Sequence, residues 1–258
     1  MSTYIHNFLA YKELLKELIV RDVKIKYRRS VLGMLWSVLN PLGMMIIMTI
    51  VFSHVFRQNI ENFPVYLMCG QVVFNFYNEA SSMAMSSILG NASLIRKVYV
   101  PKYLFPTSKV CSSFVNLLTS FIALTIVVVA TGTPVSWTLL LFFMPVLYLF
   151  LFSLGMGILL SALVVSFRDL QHLYGIFLTG LMYLTPIFYP VEILPGWVQT
   201  IVNLNPLTNM AQMLRQVVMY GTVPDLMIHV RCIVPCVIAM FVGLWVFYKQ
   251  QDAFILKV

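Results

Sequence analysis

Residues 139–165 read LLLFFMPVLYLFLFSLGMGILLSALVV, a run without a single charged side chain. A helix of that composition has no polar face to offer water, and about 20 mostly apolar residues suffice to cross the hydrocarbon core of a bilayer. Met34 to Phe56, Val110 to Ala130 and Leu226 to Phe247 meet the same length, and only the last carries a charge, Arg231, near its outer end. Two further stretches count as spans although they are less uniform. Val65 to Ser86 holds Gln71, Asn75, Asn78 and Glu79, and Leu173 to Tyr189 is short and runs into Pro186 and Pro190. Polar groups inside a span face protein or a water-filled path rather than lipid. The expectation is an all-α integral membrane protein with six transmembrane helices, at 34–56, 65–86, 110–130, 139–165, 173–189 and 226–247.

The composition agrees, with 60% of residues hydrophobic and 10% charged, against about 25% charged in a soluble domain. The net charge of +8 is distributed in a way that argues for a membrane and against nucleic acid. Lys12, Lys16, Arg21, Lys24, Lys26, Arg28 and Arg29 precede the first span, Arg96, Lys97, Lys102 and Lys109 lie between the second and third, and Arg168 follows the fourth. Lys249 and Lys257 follow the last. Six crossings put all of these on one side and leave Arg57, Arg215 and Arg231 for the other, so the positive-inside bias places both termini in the cytoplasm. Residues 1–30 lack the central apolar stretch of a cleavable signal, so the first span is expected to be retained.

Before that span, in residues 1–33, Tyr11, Leu14, Leu15, Leu18, Ile19 and Ile25 share one helical arc, with Lys12, Lys16, Glu13, Glu17, Arg21, Lys24 and Arg28 opposite. This predicts an amphipathic interfacial helix on the membrane surface. The pattern breaks after Ile19, where Asp22, Lys26 and Arg29 fall on the apolar arc, and a bend or an end is expected there. A plain basic flank is the alternative. Between the second and third spans, Gly90 and Asn91 break the chain, Ser93 is placed to cap a short helix over 93–100, and Pro101 ends it. Its mixture of charge and apolar side chains suits docking to a partner, with a solvated loop as the alternative. Ser153, Gly157 and Ser161, with Gly155 and Ala162 nearby, predict close helix packing. Asn205-Pro206 divides residues 193–220 into two short helices, read as a re-entrant helical hairpin before the last span, or else as an external loop.

No phosphate-binding loop, His-Glu-x-x-His, Gly-x-Ser-x-Gly or Cys-x-x-Cys is present, so neither a nucleotide site nor a catalytic apparatus is expected. The four histidines are scattered, and Cys69, Cys111, Cys232 and Cys236 lack ligand spacing, so no metal site is expected and the cysteines are read as packing. Glu79 is the one acid well inside a predicted span, a candidate for an ion pair with a base such as Lys109. Arg168 and Asp169 stand at a cytoplasmic turn, where either a local ion pair or a substrate contact fits. Phe74, Phe76 and Tyr77 on the second span and Tyr174, Phe177, Tyr183, Phe188 and Tyr189 on the fifth are candidates to stack on sugar faces, or are interfacial anchors.

Four stretches together resemble a known family: RDVKIKYRRSVLGMLWSVLNPL over 21–42, NASLIRKVYVP over 91–101, SFRDL over 166–170 and TPIFYP over 185–190, with Asn205-Pro206 at a fitting distance. They resemble the polysaccharide and polyol-phosphate export permeases, membrane subunits of ABC type-2 transporters for O-antigen, capsule or teichoic acid. The resemblance implies a homodimer with two copies of a separate ATPase, which binds the ATP and Mg, in the inner membrane of a bacterium. Lys16, Arg21, Asp22 and Lys24, with Ser93, Leu94, Ile95, Arg96, Lys97 and Tyr99, would dock that ATPase. Arg28, Arg29, Ser30, Leu32 and Gly33 would admit the lipid-phosphate end of a lipid-linked glycan, since guanidinium groups suit phosphate oxygens. Asn205 and Pro206 would shape the outer closure. A permease for a drug or small lipid, and an intramembrane transferase, are the rival readings.

Overall fold

The computed structural model describes residues 11–28, 30–52, 60–98 and 100–254, and the regular elements among them are helices. Arg29, Tyr99 and residues 53–59, into which the first expected span runs, lie outside the described residues. Helix α1 covers Lys12–Tyr27. A tight turn of 3₁₀ helix at Gly33–Leu35 leads into α2, Trp36–Phe52. There follow α3 (Phe63–Met85), α4 (Ser87–Gly90), α5 (Ala92–Lys97) and α6 (Leu104–Ala130). Another 3₁₀ turn, Trp137–Phe142, opens α7 (Phe143–Ser166), which is followed by α8 (Leu170–Leu184), α9 (Gly196–Leu204), α10 (Pro206–Val218) and α11 (Leu226–Gln250).

Among the described residues four stretches are long and apolar enough to cross a membrane: Gly33–Phe52, Leu104–Ala130, Trp137–Ser166 and Leu226–Gln250. The other two expected spans differ for separate reasons. Helix α3 has the length but carries amides and an acid, and it is sheathed by α2, α6, α7 and α10. Of its polar groups Gln71 is buried, Asn78 and Glu79 are half-buried and Asn75 is exposed. Helix α8 has 15 residues, which at about 1.5 Å per residue is short of the roughly 30 Å hydrocarbon core. It buries only Tyr174 and Leu178.

Local chemistry explains the boundaries. Asn62 takes the left-handed conformation (φ 51°) before α3, and Pro64 sits in the first turn, where its missing N–H costs nothing. The α4–α5 break falls at Asn91, which is also the residue preceding α5. Ser93 lies inside that helix rather than capping it, a correction to the expected boundary. Asn205 accepts from the Leu207 amide at 3.0 Å and starts α10, as a residue before Pro should. The predicted break in α1 does not occur: the helix continues through Tyr27 because Asp22 is buried against a basic partner rather than facing lipid.

The small residues of α7 are spent on two faces. Gly157 faces Ala84 of α3, while Gly155 meets the backbone of Ala239 and Met240 in α11, and Gly243 meets the Gly155 carbonyl. A side chain at Gly243 would have to push two backbones apart. Gly243→Leu is expected to cost about 1–3 kcal/mol and to lower the thermal unfolding midpoint of the purified protein. Gly180→Ala, on an open side of α8, is expected to leave the midpoint in place. An unchanged midpoint for Gly243→Leu contradicts this packing.

Candidate functional site

A cavity of about 790 Å³ lies where α2, α3, α6 and the turn after α8 meet the C-terminal end of α1. Its polar lining includes five carboxamides, Asn40, Gln71, Asn75, Asn78 and Asn116. Trp36, Phe74 and Phe188 supply ring surface, and Phe188 is held by stacking on Phe52 at 5.7 Å between centroids. Helix periodicity accounts for the cluster, since Gln71, Asn75, Asn78 and Glu79 recur at the spacing of one α3 face.

One end of the cavity is closed by a chain of charge-assisted hydrogen bonds. Lys26 Nζ of α1 stands 2.8 Å from Glu79 Oε1 of α3. Asn116 Nδ2 of α6 donates to the same oxygen at 2.6 Å, and Tyr27 OH donates to Asn116 Oδ1 at 2.7 Å. Four residues on three helices thus form one circuit in which each carboxamide atom has a single role. Glu79 reaches Lys26, not Lys109. Lys109 instead pairs with Asp22 at 2.9 Å, and Arg21 Nη2 holds the other Asp22 oxygen at 3.1 Å while also donating to Asn91 Oδ1 at 3.3 Å. Asp22, 7% exposed, therefore ties α1 to α6, and Arg21 ties α1 to the α4–α5 junction.

Beyond the Lys26–Glu79 pair lies a second cavity of about 840 Å³, lined by Arg21, Asp22, Asn91, Lys109 and their neighbours. Among the described residues, Lys26 and Glu79 are the two that line both spaces.

At the opposite end of α3 stands a residue to which sequence reasoning gave no site role. Arg215 of α10 is 3% exposed, and its guanidinium lies over the Tyr66 ring at 3.4 Å. Nε donates to the Tyr66 carbonyl at 3.2 Å and Nη2 to the Pro186 carbonyl at 2.7 Å. Tyr66 OH donates to the Tyr189 carbonyl at 2.8 Å. The TPIFYP turn is thereby bound to α3 and α10 through its backbone.

The expected site residues separate. Phe74, Phe188 and Glu79 line the first cavity. Tyr77 and Tyr174 are buried, hydrogen-bonded to each other at 3.2 Å, and Tyr77 stacks on Phe152. Phe177 stacks on Tyr174 from an exposed position, Tyr183 is 62% exposed, and Tyr189 donates its hydroxyl to the Tyr183 carbonyl. Ser30 Oγ accepts from the Gly33 amide at 3.1 Å, and Gly33 takes a positive φ of 49° in that turn. Arg28 and Leu32 are exposed beside it, while Arg29 lies outside the described residues. Lys16 is exposed and 3.9 Å from Glu13, and Lys24 is exposed. On α5, Ser93, Arg96 and Lys97 are exposed, Leu94 is half-buried and Ile95 buried; Tyr99 lies outside the described residues. Arg168 and Asp169 are exposed at the α7–α8 turn. Asn205 Nδ2 reaches Thr185 Oγ1 at 2.9 Å and ties the α9–α10 junction to the TPIFYP turn, while Pro206 is the first residue of α10. Asn116 was missed, although a lone carboxamide within the apolar run 110–130 was a signal that could have found it.

A family model described as ABC-2 type transporter matches residues 13–219. The O-antigen export system permease protein RfbA of Myxococcus xanthus is 33% identical over 192 residues, 74% of this chain and 74% of that protein. A protein of the same description from Klebsiella pneumoniae is 29% identical over 238 residues, 91% of this chain and 90% of its own. The polysialic acid transport protein KpsM of Escherichia coli is 21% identical over 259 residues, 96% of this chain and 97% of that protein.

The Arg215 cluster is testable without any substrate. Arg215→Lys keeps the charge but loses the planar fork that serves two carbonyls and a ring. It is expected to destabilise the purified protein by about 2 kcal/mol, read as a lowered unfolding midpoint, and Tyr66→Phe by about 1 kcal/mol. A lysine variant as stable as the parent contradicts the assigned contacts.

Proposed function

Because the chain belongs to the ABC-2 type transporter membrane family, we propose that it is the permease subunit of an ATP-driven exporter that carries a lipid-linked polysaccharide across the cytoplasmic membrane. It is not itself an enzyme, and a separate ATPase subunit supplies the energy. The relatives named for O-antigen export and polysialic acid transport support the substrate class. The observation that carries the reading is the amide-lined and ring-lined cavity closed by a helix that also bears the basic amino-terminal segment.

The arrangement we favour has six crossings, counting α3 and α8 with its following turn, both ends in the cytoplasm, two copies of the chain and two of the ATPase. The ATPase docks on the exposed residues of α1 and α5 and binds ATP and Mg. Arg28 with Arg29 and the Ser30–Gly33 turn receive the lipid phosphate. The α9–α10 pair, a re-entrant hairpin in this arrangement, forms the outer closure. Movement of α1 on ATP binding separates Lys26 from Glu79, and the two cavities they divide become one passage.

This gives a charge-reversal test. Lys26→Glu and Glu79→Lys singly place like charges together and are expected to reduce export of surface polysaccharide at least about tenfold, since apposed like charges cost on the order of 1–3 kcal/mol. The double exchange is expected to restore most of it. Export unaffected by either single change, measured in cells lacking the native gene, contradicts a role for the pair. A permease deletion that leaves surface polysaccharide intact contradicts the export reading itself.

A further inference from the structure

We infer that the exported polymer is uncharged along its length, built of neutral or N-acetylated sugars, with its anionic group confined to the lipid-linked end. The inference rests on the export reading and specifies its substrate.

The first observation is the hydrogen-bonding character of the cavity. Asn40, Gln71, Asn75 and Asn78 line it beside Asn116, whose two carboxamide atoms are already paired with Glu79 and Tyr27. Asn40 and Asn75 are exposed and Asn78 is half-buried, so their carboxamides are open to a polymer in the cavity. A carboxamide both donates and accepts, so a sugar hydroxyl or N-acetyl group can use both its N–H and its C=O, whereas a carboxylate, which only accepts, leaves the C=O groups unpaired.

The second observation is the charge balance. Among the described residues, Lys26 and Glu79 are the charged ones lining this cavity, and they pair with each other at 2.8 Å. Lys109 is committed to Asp22. Arg215 is buried against carbonyls and a ring, and the outer cavity it borders also holds Glu192. Arg231 lines a separate groove between α9, α10 and α11. A second copy of the chain would add the same residues and leave the balance unchanged. An ionised group taken out of water without a partner is strongly unfavourable, and a polyanion would bring one such group with every repeat. Near this cavity, the C-terminal end of α1 presents the exposed bases Lys24 and Arg28. That placement serves one anion per chain, at the lipid-linked end.

The test uses the chain with its ATPase in inside-out vesicles and two lipid-linked oligosaccharides of equal length. One is made of neutral hexoses, and in the other each repeat carries a hexuronic acid. ATP-dependent uptake of the neutral compound is expected to exceed that of the acidic one at least about tenfold. Asn75→Lys, at an exposed lining position, is expected to narrow the gap by accelerating the acidic compound. Equal uptake, or faster uptake of the acidic compound, overturns this inference and leaves the export reading standing. If neither compound moves while the ATPase hydrolyses ATP on the folded permease, both the export reading and this inference fall.

Discussion

The pairing of Lys26 with Glu79 is the contact on which the remaining architecture turns. Glu79 of α3 takes donors from α1 and α6 together, Lys26 Nζ at 2.8 Å and Asn116 Nδ2 at 2.6 Å. Tyr27 then fixes the Asn116 carboxamide so that its amino group, not its oxygen, faces the acid. The circuit makes the C-terminal end of α1 one wall of the cavity. Asp22, four residues earlier, repeats the device with Lys109 and Arg21. Two ion pairs hold α1 against α3 and α6, while Glu13, Lys16, Glu17 and Lys24 are exposed.

The far end of α3 is secured by different chemistry. Arg215 has no carboxylate partner among the described residues; it is stabilised by two carbonyls and the Tyr66 ring. Such an arrangement suits guanidinium, whose weak hydration and planar donors tolerate burial better than an ammonium group. Helix α3 is thus anchored by an ion pair toward α1 and by a cation–π contact toward α10, with carboxamides between. Between those two anchors lies a cavity whose charged lining residues, among those described, are paired. The same anchors explain why the most polar of the long helices is also among the most buried.

Much of the helical layout was legible because apolar length and helix breakers are local properties. Three charge-poor runs fall within the stretches Leu104–Ala130, Trp137–Ser166 and Leu226–Gln250, the described part of the first is helical from Trp36 to Phe52, and Asn205-Pro206 and Gly90-Asn91 divide the chain where expected. What was not legible depends on which helix stands opposite. Periodicity placed Asp22 on an apolar arc and suggested a break, whereas Lys109, distant in sequence, makes that position a pairing site. Glu79 was correctly singled out as needing a base, but the base is Lys26. Tyr77 and Tyr174 were grouped with Phe74 and Phe188 by residue type, yet the pair is hydrogen-bonded within the core while the phenylalanines line the cavity. Arg215 was counted as an outward charge, because its partners are backbone carbonyls and carry no sequence signal.

The central claim is that α1 closes the amide-lined cavity and that the ATPase cycle opens it. Asn78, a lining residue, offers a direct probe: Asn78→Cys in a background without the four native cysteines, in complexes with the ATPase, treated with a membrane-impermeant thiol reagent from the face bearing α1. Labelling is predicted to be slow without nucleotide and to accelerate at least about tenfold during ATP turnover. Equal labelling in both states would contradict the account.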